Sequence, residues 1–470
     1  MNIMKRLLFS MLLLAVSVTV AGQTVPQFKP GDKVALVGDS ITHGGHYHSY
    51  VWLYYMTRFP DMPLTFINCG VGGDTSDSMA YRFVKDVLER EPTYITLTFG
   101  MNDTGYWETY NKENSRDLSD AKVSSSLASF SKIQECLKND VEGVDVVMIG
   151  GSPYDETSTF NDNVLKGKND AICRIIEDQK KVAKENGWGF VDFNEPMVRL
   201  ASEIQKEDPK FSFCRQDRIH PDQDGQMVMA YLFLKAQGLS GRKVAHVSIN
   251  ARKRRVEELQ YCTVSDIEAG DGILSFDYLA ESLPYPCDSI SEHGWANVRS
   301  QRDAMMLVPF MEEFNQETLK VSGLEDGTYR LTIDGIFIDD VESQDLAAGI
   351  NLASYTNTPQ YRQASAVMYM NEERFDMEKR LREYVWMHTN MFRGTEDVFT
   401  DTSEGLDQIM KKASEDAFVN MSLYWYRKSY FPEIRAVWQD YINKLVETIY
   451  SVNKPVKRKI VLKKNRMPIY

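Results

Sequence analysis

The 470-residue chain is poor in cysteine and histidine and has no excess of positive charge. It contains 6 Cys and 7 His, and its 67 acidic residues outnumber its 54 Lys and Arg residues, which gives a formal net charge of −13. This acidic balance argues against a nucleic-acid-binding protein. With 43% hydrophobic residues, the chain has enough apolar material for two or three domains and a sizeable core.

No hydrophobic run reaches the length of a transmembrane helix. The apolar run Leu7–Val20 follows Lys5-Arg6 and precedes the small residues Ala21 and Gly22. This order predicts a signal peptide over the first 22 residues, so the mature protein is expected to be secreted or periplasmic, with no membrane span. The sequence has no Cys at the cleavage site, which argues against a lipid anchor.

An exported chain can form disulfides, although six cysteines are few for its length. Several of them lie in apolar helical or strand-like contexts, where a buried free thiol is common. Cys262 and Cys287 are the most suitable pair, because both fall in one irregular region.

The chain contains no Gly-x-Ser-x-Gly motif, which argues against an α/β-hydrolase. Four short polar blocks occur instead, and each of them lies beside a strand-like run. In chain order these blocks are Gly38-Asp39-Ser40-Ile41-Thr42, Asn68-Cys69-Gly70-Val71-Gly72-Gly73-Asp74-Thr75, Gly100-Met101-Asn102-Asp103 and Asp217-Arg218-Ile219-His220-Pro221. Together they supply a nucleophile, oxyanion donors, a general base and a carboxylate, which are the parts that serine-based ester hydrolysis needs.

Apolar runs place the first three blocks at one edge of a predicted sheet. Lys33–Val37 precedes the first block, Phe66-Ile67 the second and Thr93–Phe99 the third. The alternation of strands and helices up to about residue 240 predicts a parallel sheet with helices on both faces. Functional groups collect at the carboxyl ends of such strands, so we expect the three blocks to share a site.

The four blocks resemble those of SGNH hydrolases, the GDSL-type esterases. The family's Ser, Gly, Asn and His correspond to Ser40, Gly73, Asn102 and His220, and Asp217 matches its third triad member. One position differs, since an Ile follows Ser40 where the family name has Leu. The resemblance covers roughly half of the chain and implies a flavodoxin-like three-layer α/β sandwich with a parallel sheet.

The resemblance also implies a role for each residue. Ser40 would be the nucleophile, His220 the general base and Asp217 the group that orients the imidazole. The oxyanion hole would consist of the backbone N–H groups of Ser40 and Gly73 and the side-chain amide of Asn102. No cofactor and no metal are expected.

Each block taken alone has a simpler interpretation. Gly38-Asp39-Ser40 is also consistent with a strand-to-helix turn capped by Asp, and Asp217 with His220 is consistent with a structural pair. The glycines around Gly73 lack the Gly-x-Gly-x-x-Gly spacing of a dinucleotide loop. All four blocks in order favour the catalytic interpretation.

Polar and aromatic residues close to the blocks are candidates for binding substrate. The candidates are His43, Tyr106 and Trp107, which we expect at the rim of the site. His46 and His48 lie close to His43 and raise the possibility of zinc, but no carboxylate or Cys stands among them at ligand spacing.

The predicted substrate is an acylated oligosaccharide or polysaccharide, with acetyl as the acyl group. This prediction rests on the polar and aromatic residues near the nucleophile, on the lack of an apolar lid and on the resemblance to exported relatives. Two other interpretations remain. The same machinery would serve a lysophospholipase or thioesterase, and a vestigial hydrolase unit would give a non-catalytic glycan-binding protein. The sequence does not predict the oligomeric state.

The predicted catalytic domain spans residues 25–240, and residues 241–470 form a predicted accessory α+β region. Short strands are expected first, followed by two long amphipathic helices and a basic strand-like tail, Val456–Lys464. Asp326-Gly327 and Asp334-Gly335 are turn signals. The aromatic residues of the two helices are expected either to pack in the core or to form a sugar-binding face.

Overall fold

The computed structural model describes residues 24–139, 141–215, 217–290, 299–395 and 399–465. The predicted signal peptide therefore lies outside the described residues. None of the helices in these ranges is both long and apolar enough to cross a bilayer.

A five-stranded parallel sheet forms the centre of the first half of the chain. Its strands are β1 (Lys33–Gly38), β2 (Thr65–Gly70), β3 (Tyr94–Leu97), β4 (Asp145–Gly150) and β5 (Gly189–Asp192). Their order is β2-β1-β3-β4-β5, which is the flavodoxin-like doubly wound arrangement. The strand order reverses between β1 and β3, and ligands of such folds bind at this point of the sheet. The predicted α/β class is confirmed.

Helices cover both faces of this sheet and complete the three layers. They include α1 (Ser40–His43), α2 (Tyr47–Arg58), α3 (Ser76–Arg82), α4 (Ser115–Asn139), α5 (Lys168–Asn186), α6 (Asn194–Gln205) and α7 (Gln223–Ala236). The side chains of β1 alternate between two cores. Val34 and Leu36 join the core beneath α2 and α7, whereas Ala35 and Val37 join the core beneath α4. Burial on both faces explains why this strand is a continuous apolar run.

Two further sheets follow in the second half. Their strands are β6 (Ala245–Asn250), β7 (Arg255–Gln260), β8 (Cys262–Gly270), β9 (Ile273–Ala280), β10 (Glu317–Ser322), β11 (Thr328–Ile333), β12 (Ile336–Glu342), β13 (Ile350–Asn351) and β14 (Arg458–Lys464). One sheet has the order β13-β10-β6-β7 and the other β12-β11-β14-β9-β8. Asp334-Gly335 forms the predicted turn, since Ile333 pairs with Ile336 and both turn residues have positive φ.

The remaining helices lie between strands of these two sheets in sequence. They include α8 (Phe310–Phe314), α9 (Ser343–Ala348), α10 (Pro359–Met391), α11 (Ser403–Ala413), α12 (Ala417–Ser429) and α13 (Pro432–Val452). The basic tail returns as β14 and pairs with β9 on one side and β11 on the other. The chain thus enters helices α10 to α13 after β13, a strand of the first of these sheets, and leaves them into β14 in the middle of the other sheet. The predicted C-terminal α+β region is confirmed.

Cys262 and Cys287 are both free thiols. The two cysteines that the sequence makes the most suitable pair are therefore not joined by a disulfide in this structure. Cys262 lies in β8, where its thiol donates a hydrogen bond to the carbonyl of His246. Cys287 lies in a loop, where its backbone N–H donates to the hydroxyl of Tyr361.

Candidate active site

Ser40 lies where β1 ends and α1 begins. Asp39 caps this short helix by accepting a hydrogen bond from the N–H of Ile41 at 2.9 Å, and burial raises the pKa of Asp39 to about 6. Only glycine fits at position 38, because a Cβ there would lie 2.1 Å from the hydroxyl of Thr42. The first block therefore makes a tight turn that places Ser40 at the carboxyl edge of the sheet.

A continuous hydrogen-bonded chain joins Ser40, His220 and Asp217. The Ser40 Oγ lies 2.7 Å from the His220 Nε2, and the His220 Nδ1 lies 2.5 Å from the Asp217 Oδ2. The other Asp217 oxygen accepts the backbone N–H groups of Ile219 and His220, both at 2.9 Å. Burial alone would raise the pKa of Asp217, but these hydrogen bonds and the imidazole hold it below its ordinary value. The three side chains have the geometry of a nucleophile, a base and an orienting carboxylate.

Arg218 fixes the loop that carries Asp217 and His220. Its φ is +70°, which is uncommon for a residue with a side chain, and its guanidinium is buried. The guanidinium donates hydrogen bonds to the carbonyl of Asp155 and to the side-chain oxygen of Asn161. Sequence reasoning missed this residue, although its position inside the fourth block was a signal.

Gly73 and Asn102 belong to the loops that follow β2 and β3. Gly73 has a φ of +84°, and the space where a Cβ would stand is open. Within the described ranges, the backbone N–H groups of Ser40 and Gly73 have no hydrogen-bond acceptor. The Asn102 Nδ2 donates one hydrogen bond to the carbonyl of Asp74 at 2.9 Å, which leaves its second N–H available. These donors are the type that stabilises an oxyanion.

Hydrogen bonds between the loops and strands hold the blocks in register. Gly38 pairs with Gly70 across β1 and β2, and the N–H of Val71 donates to the carbonyl of Gly38 at 3.0 Å. The N–H of Gly72 donates to the Nδ1 of His43 at 3.2 Å. The structure thus brings the first two blocks together, as the sequence predicts.

The predicted rim residues have different surroundings. His43 is mostly buried, and its Nε2 lies 3.9 Å from the carboxylate of Glu383. Burial, together with nearby Arg382 and Lys379, lowers the pKa of His43 to about 3, so this contact joins a neutral imidazole and not a charged one. Trp107 is 56% exposed.

Tyr106 is half-buried, and its hydroxyl donates to the Asn102 Oδ1 at 2.6 Å. Of the three predicted rim residues, Trp107 is the one whose side chain is largely exposed to solvent. The structure therefore connects Tyr106 to the third block directly.

The three neighbouring histidines do not form a metal centre. His48 is buried and donates to the carbonyl of Thr42 at 3.0 Å, and His46 stacks on the ring of Tyr50. Among the described residues, no group of three or more His, Cys, Asp or Glu side chains is arranged to hold a metal ion.

Helix α10 packs directly against the loop of the second block. The Arg382 Nε donates to the carbonyl of Gly70 at 3.0 Å, and the Trp386 Nε1 donates to the carbonyl of Gly72 at 3.0 Å. One turn earlier, Glu378 accepts the N–H of Asn68 at 2.8 Å. Sequence reasoning missed these contacts, although polar residues four apart on the buried side of a long helix were a usable signal.

Asp86 joins α10 to the same loop through buried charges. Arg382 contacts both oxygens of Asp86, at 2.8 and 2.7 Å, and Arg82 contacts Asp86 as well as Asp74. Asp74 directly follows Gly73, so the ion-pair network extends from the helix to the predicted oxyanion loop. The C-terminal region is therefore part of the structure that supports the site.

Comparison with known proteins identifies two matching family models and a similar solved structure. Residues 36–228 match the model of the GDSL-like lipase/acylhydrolase family, and residues 365–454 match that of the diltiazem deacetylase C-terminal helical domain. A solved structure of a gut microbial diltiazem-metabolizing enzyme is 45% identical, with a TM-score of 0.91, and the match covers 94% of this chain and 100% of that chain.

Two curated proteins are similar over shorter stretches. The acetylxylan esterase of Geobacillus stearothermophilus is 24% identical over 231 residues, which cover 44% of this chain and 94% of that protein. An uncharacterized lipoprotein of Bacillus subtilis is 33% identical over 78 residues, which cover 15% of this chain and 32% of that protein.

Proposed function

The chain belongs to the GDSL-like lipase/acylhydrolase family, and we propose that it is an exported esterase that removes acetyl groups from carbohydrates. The observation that carries this proposal is the hydrogen-bonded chain from the Ser40 Oγ through His220 to Asp217. It lies beside two backbone N–H groups that have no acceptor within the described ranges. A serine esterase needs this combination.

The proposed reaction has two halves. Ser40 attacks the ester carbonyl while His220 takes the hydroxyl proton, and Asp217 holds the imidazole in place. The N–H groups of Ser40 and Gly73 and the amide of Asn102 stabilise the oxyanion of the tetrahedral intermediate. His220 then gives its proton to the departing alcohol, which leaves an acetyl group on Ser40. A water molecule activated by His220 releases acetate and restores the free serine.

The names of the related proteins support acetyl as the acyl group. The matching helical-domain model is named for a diltiazem deacetylase, and one curated relative is an acetylxylan esterase. Both names describe removal of acetyl, although the alcohols are different.

A carbohydrate alcohol is supported by the exposed Trp107 near the third block and by the similarity to the acetylxylan esterase. A second candidate is the acetyl ester of a small non-carbohydrate molecule. Its support is the 45% identity to the diltiazem-metabolizing enzyme over 94% of this chain. The two candidates share the acyl group and the machinery, and they differ only in the leaving alcohol.

Export is part of the same proposal. The order of basic, apolar and small residues at the start of the chain supports a signal peptide, and the similarity to a lipoprotein over 78 residues is consistent with an exported relative.

A product screen by mass spectrometry tests the proposal. The panel contains acetylated xylo-oligosaccharides, diltiazem, a lysophospholipid and a long-chain thioester, each incubated with wild type and with Ser40→Ala. Acetate and a deacetylated sugar from wild type alone would support the carbohydrate assignment. Deacetylated diltiazem alone would support the second candidate. Turnover of only the long-chain substrates, or binding of the glycan without any turnover, would contradict the proposed function.

A further inference from the structure

The side-chain amide of Asn102 is held from two sides. Its Oδ1 accepts a hydrogen bond from the hydroxyl of Tyr106 at 2.6 Å, and its Nδ2 donates to the carbonyl of Asp74 at 2.9 Å. If the amide were flipped, Oδ1 would face the Asp74 carbonyl, and two acceptors would meet. The two contacts together therefore select the orientation in which the Asn102 amide nitrogen lies on the side of the second block.

Tyr106 is suited to act as the donor in this pair. Burial raises the pKa of its phenol well above the ordinary value, so the hydroxyl stays protonated. A carboxamide oxygen has no proton of its own, which leaves the phenol as the donor. The bond is short for its type, as expected of a well-aligned O–H···O pair.

Lys168 fixes the loop around Asn102 and the ring of Tyr106. Its ammonium group is fully buried at the start of α5 and donates to the carbonyls of Met101 and Gly105, both at 2.6 Å. The third hydrogen bond goes to the hydroxyl of Thr104 at 2.9 Å. The Nζ also lies 4.1 Å from the centre of the Tyr106 ring, which is a cation–π distance.

These contacts enclose Asn102, because Met101 precedes it and Thr104 and Gly105 follow it in the chain. All three ammonium donors are used within this one loop. Burial lowers the pKa of Lys168 to about 7, against the opposing effect of nearby carboxylates such as Glu108. A buried ammonium is costly unless its hydrogen bonds are made, so the loop and the lysine stabilise each other.

We propose that Tyr106 is a positioning residue that holds the Asn102 amide ready to donate to the oxyanion. This inference rests on the proposed function. It assigns Tyr106 to the support of the third block, not to stacking on a sugar ring. Tyr106 acts through Asn102 and makes no contact with the reacting atoms.

The test is Tyr106→Phe, which removes the hydroxyl and keeps the ring over Lys168. Loss of one such hydrogen bond is expected to lower kcat on para-nitrophenyl acetate by about three- to tenfold, with KM unchanged. The matched control is Tyr110→Phe, because the Tyr110 ring also faces Lys168, at 5.8 Å, while its hydroxyl lies beside Thr104. This control is expected to keep the wild-type kcat.

A double-mutant cycle separates positioning from packing. In an Asn102→Ala background, Tyr106→Phe is expected to have no further effect on kcat, because the amide that it orients is gone. Three results would overturn the inference: an unchanged kcat in Tyr106→Phe, with or without a raised KM, an equal loss of kcat in the Asn102→Ala background, or an equal loss of kcat in Tyr110→Phe.

The failure of this inference is distinguishable from the failure of the proposed function. If Ser40→Ala abolishes turnover and Tyr106→Phe retains the wild-type kcat, only the role of Tyr106 is wrong. If wild type and Ser40→Ala hydrolyse the acetate equally, the proposed function itself is wrong, and the role of Tyr106 falls with it.

Discussion

At the scale of single residues, Asn102 is the side chain whose contribution can be isolated most cleanly. It supplies one of three proposed oxyanion donors, and its partners are the carbonyl of Asp74 and the hydroxyl of Tyr106. Removal of one such donor typically lowers kcat by about 10²–10³. Asn102→Ala is therefore expected to lower kcat on para-nitrophenyl acetate by this factor.

The loss should appear in kcat and not in KM, because the oxyanion exists only after attack. Steady-state kinetics of the purified variant measures both constants. A variant that keeps the wild-type kcat would remove Asn102 from the oxyanion hole.

The residues of the proposed site could be predicted from the sequence because each sits in a short local motif. Ser40 follows a buried strand, and Asp217 and His220 stand three apart in one turn. Arg218 lies inside the fourth block, but its contacts, like those of Lys168, could not be predicted in the same way. Their roles depend on carbonyl groups that the fold brings to them from distant parts of the chain, and no local spacing records those contacts.

At the scale of elements, the main feature is the attachment of α10 to the loop after β2. Asp86 is the shared carboxylate of this attachment, since Arg82 and Arg382 both bind it and all three side chains are buried. Burial alone would raise the pKa of Asp86, but the surrounding arginines hold it well below the ordinary value. The carboxylate therefore remains charged in the folded protein at pH values where the unfolded chain is already protonated.

This shift predicts a defined pH dependence. Because the folded-state pKa is lowered, the stability that Asp86 contributes is fully present above about pH 4, near the ordinary Asp pKa, and is lost as the pH falls toward the folded value. Asp86→Asn leaves the buried Arg382 without its paired carboxylate and the buried Arg82 with Asp74 alone, so it should lower the free energy of unfolding by about 3–5 kcal/mol at pH 7. The difference from wild type should shrink below about pH 4.

Urea unfolding at pH 7, 5, 4 and 3 checks this prediction. Asp61→Asn is the matched control, because Asp61 is strongly exposed and pairs only at the surface with Lys454. That variant is expected to change the free energy of unfolding by less than about 1 kcal/mol. If the Asp86→Asn protein were as stable as the control, Asp86 would not be the residue that attaches α10 to the loop after β2.

The elements themselves were predictable to different degrees. The alternation of strands and helices before residue 240 is predicted from apolar runs along the chain, and the structure confirms this alternation. Strands β7, β8 and β12 were not predicted, because they are only partly buried and charged residues interrupt their apolar positions. Their pairing comes from neighbouring strands and not from their own hydrophobic pattern.

At the scale of the whole molecule, the second half is joined to the first by buried polar contacts. Arg58 of α2 is buried, and its guanidinium donates to the carbonyls of Phe314 and Arg242. Asn371 of α10 donates to the backbone and hydroxyl of Ser49. The return of the chain tail as β14 in the middle of a sheet could not be read from the sequence, since a basic seven-residue strand has no signal for its partner.

Cutting the chain after Gly241 should therefore expose apolar surface and leave buried polar groups without partners. The remnant is expected to be less soluble than the full chain. Any soluble fraction should retain some activity on para-nitrophenyl acetate, because Ser40, Asp217 and His220 all precede the cut. It should lose preference for the larger substrate, because Trp386 and Glu383 no longer stand beside the site.

Solubility, thermal unfolding and the ratio of kcat/KM for the acetylated oligosaccharide and the aryl acetate measure these effects. A truncated protein that equals the full chain in solubility, stability and activity on the larger substrate would show that the second half is an independent module.

The central claim is that Ser40 becomes acetylated during turnover. The most direct measurement combines the kinetics of Ser40→Ala with mass spectrometry of wild type quenched during hydrolysis of para-nitrophenyl acetate. The account predicts one acetyl group on the peptide that carries Ser40, and a loss of at least about 10⁴ in kcat for the folded variant. Turnover with no acetyl on Ser40, or a variant that keeps about a tenth or more of the wild-type kcat, would contradict it.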